Sequence, residues 1–291
     1  MDRDARGGRG RPERAAATAM TDRITPEVVR KFETDGAVWL PGLLTRPWLD
    51  LIEAGMRRNI NSPGPNSRRH YPGEPGTFYD DHCNYAAIPE FQRLLEDSPL
   101  ADVMAKILQT ANLWLFFEQI FVKEGGHSRR TPWHQDTPYF MADGRQIGSM
   151  WISLDPLASE ETLEVVAGSH LGPLYNGTAF DPDDDTAPVF DPRKFPRLPD
   201  IEREREKWNI VSRASEPGDV LVMHPSILHG GAEIREGHRR RTLSIRMFGD
   251  DVVYVERPGA GHSPAFPGVS EALNPGDPLR HPWFPRLLPR T

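Results

Sequence analysis

Apolar residues recur at helical spacing in the first part of the chain and at strand spacing after about residue 110. Thr25 is a suitable N-cap, Pro26 suits the first helical position, and Gly36 ends the first predicted helix. A short strand, 37–40, follows, and a second helix begins at Thr45. A third helix after Ser98-Pro99 fits the amphipathic pattern at every position: Leu100, Val103, Met104, Ile107 and Leu108.

After this helical region the apolar pattern alternates or forms short continuous runs, which is typical of strands. The predicted strands are 113–123, 147–154, 162–167, 208–213, 219–224, 241–248 and 251–255. The 29 Pro and 25 Gly supply many turns between them. Strands in series with flanking helices predict a mainly β domain built on a jelly roll.

Three segments fall outside this pattern. Residues 1–22 are rich in Arg and Gly without apolar periodicity, which predicts a disordered tail in which Met20 is an alternative start to Met1. Residues 172–206 are rich in Pro and Asp and are interpreted as a lid inserted into a single domain, 23–257. Residues 258–291 are rich in Pro but carry apolar side chains, so we expect them to pack on the core.

Composition excludes several classes of function. Lys+Arg 35 and Asp+Glu 42 give a net charge of −7, which argues against a nucleic-acid or anionic-membrane surface. No apolar run is long enough for a transmembrane helix. Because Cys83 is the single cysteine, no internal disulfide can form, and we expect a cytoplasmic protein.

Candidate metal ligands begin with His134 and Asp136, which would share one face of an extended segment. His224 and His229 follow on or just after a later strand, and either could supply a third ligand. Two histidines and one carboxylate form the facial triad that suits non-haem Fe(II) and leaves positions open for O₂ and a cosubstrate. A His-x-Asp motif by itself, however, is weak evidence for a metal site.

A basic cluster, Arg239-Arg240-Arg241, leads into the alternating strand that contains Ser244. An arginine that points into a barrel needs a carboxylate, which its planar guanidinium can bind through two hydrogen bonds. The alternative is a solvated turn, and we expect that interpretation to hold for at least two of the three arginines.

Several motifs carry a family resemblance: WHQD, the strand MWISLD, the turn VVAGSH, the stretch MHPSILHGG, and Arg-x-Thr-Leu-Ser after it. In this order and spacing they resemble the phytanoyl-CoA dioxygenase family of Fe(II)/2-oxoglutarate oxygenases over about residues 24–255. The resemblance implies a double-stranded β-helix of the cupin type, with Fe(II), 2-oxoglutarate and O₂ at one site.

Carried over by position, the resemblance makes His134, Asp136 and His229 the iron ligands, with His224 a structural residue. Arg240 would bind the distal carboxylate of 2-oxoglutarate, with Ser244 on the same strand. Further residues that match or neighbour this pocket are Trp151, Ser153, Lys123 and Gln119. For Lys123 and Gln119, which share a strand face with Phe121, an ordinary place in the barrel wall is an equal alternative.

The chain departs from the family pattern in one turn, where Glu161-Thr162 replaces Asn-Gly and Ala167 replaces Pro. These changes affect a hairpin and leave the ligands in place. Asp136 is retained, which disfavours halogenation. The cluster Tyr79-Asp80-Asp81-His82-Cys83 is interpreted as a loop on the substrate side, with a metal site the weaker alternative.

The expected reaction is hydroxylation of an unactivated C–H bond with release of succinate and CO₂. Desaturation, cyclisation or epimerisation would use the same site, because these outcomes differ in substrate pose. Alternatives of other classes are a cupin-like metal-binding or sensor protein and a zinc hydrolase. We expect a small-molecule substrate, and the sequence contains no signal for oligomeric state.

Overall fold

The computed structural model describes residues 20–70, 76–124, 130–179, 181, 183–257 and 264–290. Most of the predicted N-terminal tail, residues 1–19, and the first part of the predicted C-terminal segment, residues 258–263, lie outside this range. Within it, helices flank the antiparallel strands of a jelly roll, so the predicted fold class is confirmed.

Helix α1, Pro26–Asp35, begins and ends where its sequence predicts. The hydroxyl of Thr25 accepts a hydrogen bond from the N–H of Val28, and Gly36 closes the helix in the left-handed region. The remaining helices are α2 (Arg46–Asn61), α3 (Pro89–Asp97), α4 (Leu100–Leu108) and the short α5 (Val269–Ala272). The sequence pattern did not predict α3 or α5.

The strands are antiparallel to their neighbours throughout. They are β1 (Ala37–Leu40), β2 (Arg68–His70), β3 (Thr77–His82), β4 (Leu113–Glu124), β5 (Thr131–His134), β6 (Ala142–Asp143), β7 (Ile147–Ser153), β8 (Leu163–Val166), β9 (Ile210–Val211), β10 (Val220–Met223), β11 (His229–Gly231), β12 (Arg239–Phe248), β13 (Val253–Tyr254) and β14 (Arg286–Leu288). The large sheet has the order β1-β10-β7-β12-β4-β3-β2, with β14 also paired to β4. The small sheet has the order β5-β11-β8-β9, and β13 pairs with β6.

The two faces of the large sheet have different chemistry, as strand β12 shows. Its odd-numbered residues Leu243, Ile245 and Met247 are buried in the core that the sheet forms with the helices. Its even-numbered residues, from Arg240 to Arg246, line a cavity between the two sheets. This alternation places the polar side chains of the central strands on the inside of the jelly roll.

Part of the predicted lid, 172–206, borders this cavity. Phe190, Leu198 and Ile201 anchor it in buried positions, and Thr178 and Val189 contribute to the cavity wall. The segment also includes the beginning of a short 3₁₀ turn, Arg205–Lys207.

The described part of the C-terminal segment, 264–290, packs on the core. Phe266 and Phe284 are buried in an aromatic cluster with Phe116 of β4, and β14 pairs with the first residues of β4. No helix among the described residues is long and apolar enough to cross a membrane.

Residues 79–82 were predicted to lie in a loop, and this prediction was wrong, because they belong to strand β3. Asp80 and His82 face the cavity, whereas the carboxylate of Asp81 accepts hydrogen bonds from the side-chain amide of Asn59 and the N–H of Gly64. Charged residues at the inward positions remove the apolar alternation by which a strand is usually recognised.

Candidate metal centre and cosubstrate pocket

Three potential metal ligands meet in the small sheet. His134 ends β5 and His229 begins β11, and the two residues are direct partners across these strands. Asp136 follows in a turn, where its N–H donates to the carbonyl of Pro225 over 2.8 Å. Oδ1 of Asp136 lies 3.6 Å from Nε2 of His134 and 3.9 Å from Nε2 of His229.

All three ligand atoms lie within 4.8 Å of one another, so one cation could contact all of them. The sequence argument for the pair was partly wrong, however. His134 is extended, but Asp136 has helical backbone angles. The tight turn after β5 therefore brings the two side chains together, and they do not share one face of a strand.

Both imidazoles are oriented by backbone carbonyls. Nδ1 of His134 lies 2.8 Å from the oxygen of Pro132, and Nδ1 of His229 lies 3.0 Å from the oxygen of Ile227. A carbonyl only accepts, so each Nδ1 is the protonated donor and each Nε2 offers its lone pair towards Asp136. Burial, together with neighbouring His134, lowers the pKa of His229 to about 4, which favours the neutral ring that a metal requires.

Asp136 is held as a carboxylate although it is buried. Burial acts to raise its pKa, but the charge of Arg246 and the contacts with His134 and His229 outweigh burial and hold that pKa well below its usual range. Nε and Nη2 of Arg246 both lie 3.2 Å from Oδ2 of Asp136. The other oxygen, Oδ1, faces the two imidazoles.

His224, the other candidate for the third ligand, lies outside this group. Its Nδ1 accepts a hydrogen bond from the N–H of Ser226, and its ring lies 5.5 Å from that of His170. Burial and the neighbouring His170 lower the pKa of His224 to about 4. His224 is half-buried and lies against His170, so it does not belong to the ligand group.

The three ligands lie in the wall of a cavity of about 590 Å³ between the two sheets. Two buried cations, Arg240 and Lys123, lie side by side in the same wall as cross-strand partners on β12 and β4. Nη1 of Arg240 donates to the carbonyl of Glu161 over 2.6 Å, and Nζ of Lys123 donates to Oγ1 of Thr131 over 3.3 Å.

Burial disfavours the charge of both side chains, and the charge of Arg240 further disfavours that of Lys123. Burial lowers the pKa of Arg240 to about 10, and burial together with the charges of Arg240 and Arg130 lowers the pKa of Lys123 well below its usual range. Since an anion would relieve this repulsion, we interpret this end of the cavity as a site for a carboxylate or similar group.

Gly231 makes room for the arginine. A Cβ at this position would lie 3.2 Å from Nη2 of Arg240 and 3.1 Å from Oγ1 of Thr131. Gly231 is also two residues from His229, so the guanidinium reaches the wall of the cavity close to the metal ligands.

The structure places the neighbouring arginines elsewhere, and the expectation that both are solvated was wrong for Arg241. Its N–H, Nε and Nη2 all contact Asp155, and its Nη1 lies 2.6 Å from Glu53. Arg239 is half-exposed and also contacts Asp155. Of the three arginines, only Arg240 lines the cavity among the described residues.

The remaining predicted pocket residues divide into two groups. Gln119, Ser244 and Trp151 are cross-strand neighbours on β4, β12 and β7, and all three line the cavity. Ser153 is buried too, but its hydroxyl donates to the carbonyl of Asp155, and it is not among the described residues of the cavity wall.

A polar group centred on Asp80 lies in the wall that the large sheet forms, on β3 beside β4. The sequence placed Asp80 and His82 on the substrate side but did not predict the contacts that join them. His70 and Gln119 both donate to the carboxylate of Asp80, and His82 lies 3.9 Å from it. Burial acts to raise the pKa of Asp80, but its contacts with His70 and His82 hold that pKa well below its usual range.

Sequence reasoning missed Arg246. The two-residue alternation along β12 that includes Arg240 and Ser244 could have revealed it.

Comparison with known families assigns the chain. The family model for phytanoyl-CoA dioxygenase (PhyH) matches residues 32–242, and the chain therefore belongs to this family. The match spans both histidine ligands and Arg240. No curated protein matches the chain.

Solved structures with the same fold include three enzymes at low sequence identity. The α-ketoglutarate-dependent epimerase SnoN from nogalamycin biosynthesis has a TM-score of 0.72 and 21% identity, over 94% of this chain and 98% of its own. The carbocyclase SnoK from the same biosynthesis has a TM-score of 0.69 and 20% identity, over 92% and 98%. EctD from S. alaskensis, in complex with 2-oxoglutarate and 5-hydroxyectoine, has a TM-score of 0.63 and 18% identity, over 84% and 82%.

Proposed function

We propose that this protein is an Fe(II)- and 2-oxoglutarate-dependent dioxygenase that hydroxylates an unactivated C–H bond of a small molecule and releases succinate and CO₂. The observation that carries this proposal is the convergence of His134, Asp136 and His229 to within 4.8 Å in a cavity that also contains the buried cations Arg240 and Lys123. A metal sensor would have no need for that pair of cations.

The residues present fit the two groups that this function needs. Two neutral imidazole nitrogens and one carboxylate oxygen are the donor set of a facial triad, which suits ferrous iron. Two buried polar atoms in the same wall, Oγ of Ser244 and Nη1 of Arg246, have no hydrogen-bond partner among the described residues. Such atoms are costly unless a ligand satisfies them.

Each part of the cavity has a separate task in this mechanism. His134, Asp136 and His229 would hold the iron, and Arg240 with Lys123 would bind the distal carboxylate of 2-oxoglutarate. When bound, iron and 2-oxoglutarate supply the oxidation by O₂, which no side chain of the chain can perform.

The protein's own contribution is orientation and the exclusion of water. The carbonyls of Pro132 and Ile227 hold the imidazoles in position, and Trp151 forms a buried apolar part of the wall. A dry, fixed site of this kind keeps the reacting groups in one geometry and away from bulk solvent.

The substrate would occupy the side of the cavity that the cosubstrate leaves open. This side is lined by aromatic rings, among them Phe117 and Tyr139, by the polar group around Asp80 and by the lid residues Thr178 and Val189. Aromatic walls with a few placed polar groups are typical of small-molecule sites.

A second candidate reaction at the same site is epimerisation or ring closure. The similarity to SnoN and SnoK favours it, because these proteins are an epimerase and a carbocyclase on the same fold. Product analysis separates these outcomes, since hydroxylation adds one oxygen atom to the product and epimerisation or ring closure adds none.

The proposed function is tested by anaerobic titration of purified protein with Fe(II) and then 2-oxoglutarate, with the visible metal-to-ligand charge-transfer band as the readout. We expect a band in the wild type and in His224→Asn, and none in His229→Ala. His224→Asn is the matched control, because His224 is a half-buried histidine five positions away that lies outside the ligand group.

Two results would contradict the proposal. If the wild type binds Fe(II) without a charge-transfer band, the cofactor pair is wrong and a metal-sensor function becomes the better explanation. If the wild type with Zn²⁺ hydrolyses ester or amide substrates without 2-oxoglutarate or O₂, the site belongs to a hydrolase.

A further inference from the structure

Arg246 has an unusual position for a buried cation, because both of its contacts with Asp136 go to a single oxygen. Nε and Nη2 each lie 3.2 Å from Oδ2, while Oδ1 faces the two histidines. The side chain of Arg246 is only 7% exposed. The guanidinium thus binds Oδ2, the carboxylate oxygen that does not face the two histidines.

The guanidinium is fixed from two further directions. Its central carbon lies 4.4 Å from the ring centre of Phe117 and 5.8 Å from that of Phe140, which restricts rotation of the planar group. The strand beneath it is also fixed, because β12 pairs with β7 in regular register here, with Arg246 opposite Ser149. The extra residue of the neighbouring β-bulge, Phe116, belongs to β4, so Arg246 keeps its place in the alternation of β12.

We propose that Arg246 is a positioning residue that restricts Asp136 to binding the metal through Oδ1 alone. This inference rests on the proposed function, because it concerns the same metal centre. A carboxylate that binds through both oxygens takes up one more coordination position. The facial triad works because positions stay open for the cosubstrate and O₂. By occupying Oδ2, Arg246 keeps open the position that 2-oxoglutarate needs.

The other arginine of the cavity provides a contrast. Arg240 lies on the same face of β12, six residues before Arg246, and contacts the carbonyl of Glu161 rather than a metal ligand. The two arginines are therefore separable at the metal centre without 2-oxoglutarate: Arg246 contacts Asp136 there, whereas Arg240 contacts no potential metal ligand.

The test uses the full chain with Co(II) as the metal, because the visible spectrum of Co(II) reports its coordination number. For Arg246→Gln we expect the spectrum without 2-oxoglutarate to differ from that of the wild type, since a second bound carboxylate oxygen would add a ligand or replace a water. We also expect the affinity for 2-oxoglutarate to fall, by an amount comparable to the roughly 10–100-fold loss of metal affinity or activity that follows removal of a residue orienting a metal ligand. Arg246→Lys keeps the charge and one donor nitrogen. Its Co(II) spectrum and its affinity for 2-oxoglutarate should lie between those of the wild type and Arg246→Gln.

Arg240→Gln is the matched control. It should weaken 2-oxoglutarate binding but leave the Co(II) spectrum without 2-oxoglutarate unchanged. A Co(II) spectrum in Arg246→Gln identical to that of the wild type would overturn the proposal, and so would unchanged affinity for 2-oxoglutarate. If Arg246→Gln does not fold, the same comparison is made with Arg246→Lys. If Arg246→Lys folds but binds no Co(II), the proposal is also overturned, because Arg246 would then be required for metal binding itself.

Failure of the proposed function is distinguishable from failure of this inference. If the wild type binds Co(II) but 2-oxoglutarate does not change its spectrum, the oxygenase assignment fails, whatever the spectra of the variants show. If the wild type responds to 2-oxoglutarate and Arg246→Gln behaves like it, only the role of Arg246 is wrong.

Discussion

Three consecutive arginines begin strand β12, and the structure gives them different environments that alanine substitutions can separate. Arg240 lies in the cavity wall beside Lys123, whereas Arg241 forms ion pairs with Asp155 and Glu53. We therefore predict that Arg240→Ala weakens 2-oxoglutarate binding and that Arg241→Ala does not.

The magnitude follows from the contacts. A hydrogen bond to a charged group contributes about 1.5–3 kcal/mol, and a buried charge pair that loses one partner costs about 2–5 kcal/mol. Lys123 remains in Arg240→Ala as a second cation for the same carboxylate, so we expect a loss near the lower end. About 2–3 kcal/mol corresponds to a dissociation constant for 2-oxoglutarate that is roughly 30–150-fold higher.

The assay is anaerobic titration of the Fe(II) protein with 2-oxoglutarate, followed by its charge-transfer band. Iron affinity should stay near that of the wild type in both variants, because neither arginine contacts a metal ligand. Arg241→Ala should instead lower the free energy of unfolding, measured by urea denaturation, by about 1–3 kcal/mol, since Asp155 loses its main partner. Equal effects of the two variants on 2-oxoglutarate binding would refute the assignment of Arg240.

Three further predictions concern other parts of the molecule. Leu94→Ala, at a fully buried position of α3, should lower the free energy of unfolding by about 2–5 kcal/mol in urea denaturation, with unchanged 2-oxoglutarate affinity of the folded fraction. Gly231→Ala should weaken 2-oxoglutarate binding about tenfold, or about 1.4 kcal/mol, since its Cβ would press on Arg240; an unchanged dissociation constant would contradict this. His224 has a pKa lowered to about 4, so the unfolded chain binds its proton first as the pH falls. The contribution of this histidine to stability, which is complete above about pH 6.5, should therefore decline by about 3 kcal/mol towards pH 4. In His224→Asn, measured by thermal unfolding across this range, the decline should be smaller by that amount.

The sequence predicts the fold best where side chains face the helical core. Strands β4, β7 and β12 contribute apolar residues to that core, and their positions follow directly from the pattern. Strand β2, by contrast, consists of Arg68, Arg69 and His70 at the edge of the sheet, and no apolar pattern can reveal it. The nine-residue helix α3 has only three buried side chains, which are too few to show a helical period in the sequence.

The candidate site shows a different limit. The residues that could hold a metal were recognisable as His-x-Asp and a later histidine, but spacing alone left His224 and His229 equivalent. Their difference is three-dimensional: His229 pairs with His134 across two strands, whereas His224 packs beside His170. Arg246 was missed, and the contacts around Asp80 were not predicted, because the hydrogen bonds that define them join residues 110 and 39 positions apart.

The aromatic cluster at the C-terminal end has a consequence for how truncated forms of this protein should be interpreted. Phe266 packs on Phe117, and Phe117 in turn lies against the guanidinium of Arg246, which contacts Asp136. Removing the C-terminal segment would therefore loosen the support of Asp136, a proposed metal ligand, and would also remove Pro264 from the cavity wall. Lost turnover in a truncated enzyme would not by itself identify this segment as a substrate-binding element, and iron affinity must be measured on the same sample to separate the two effects.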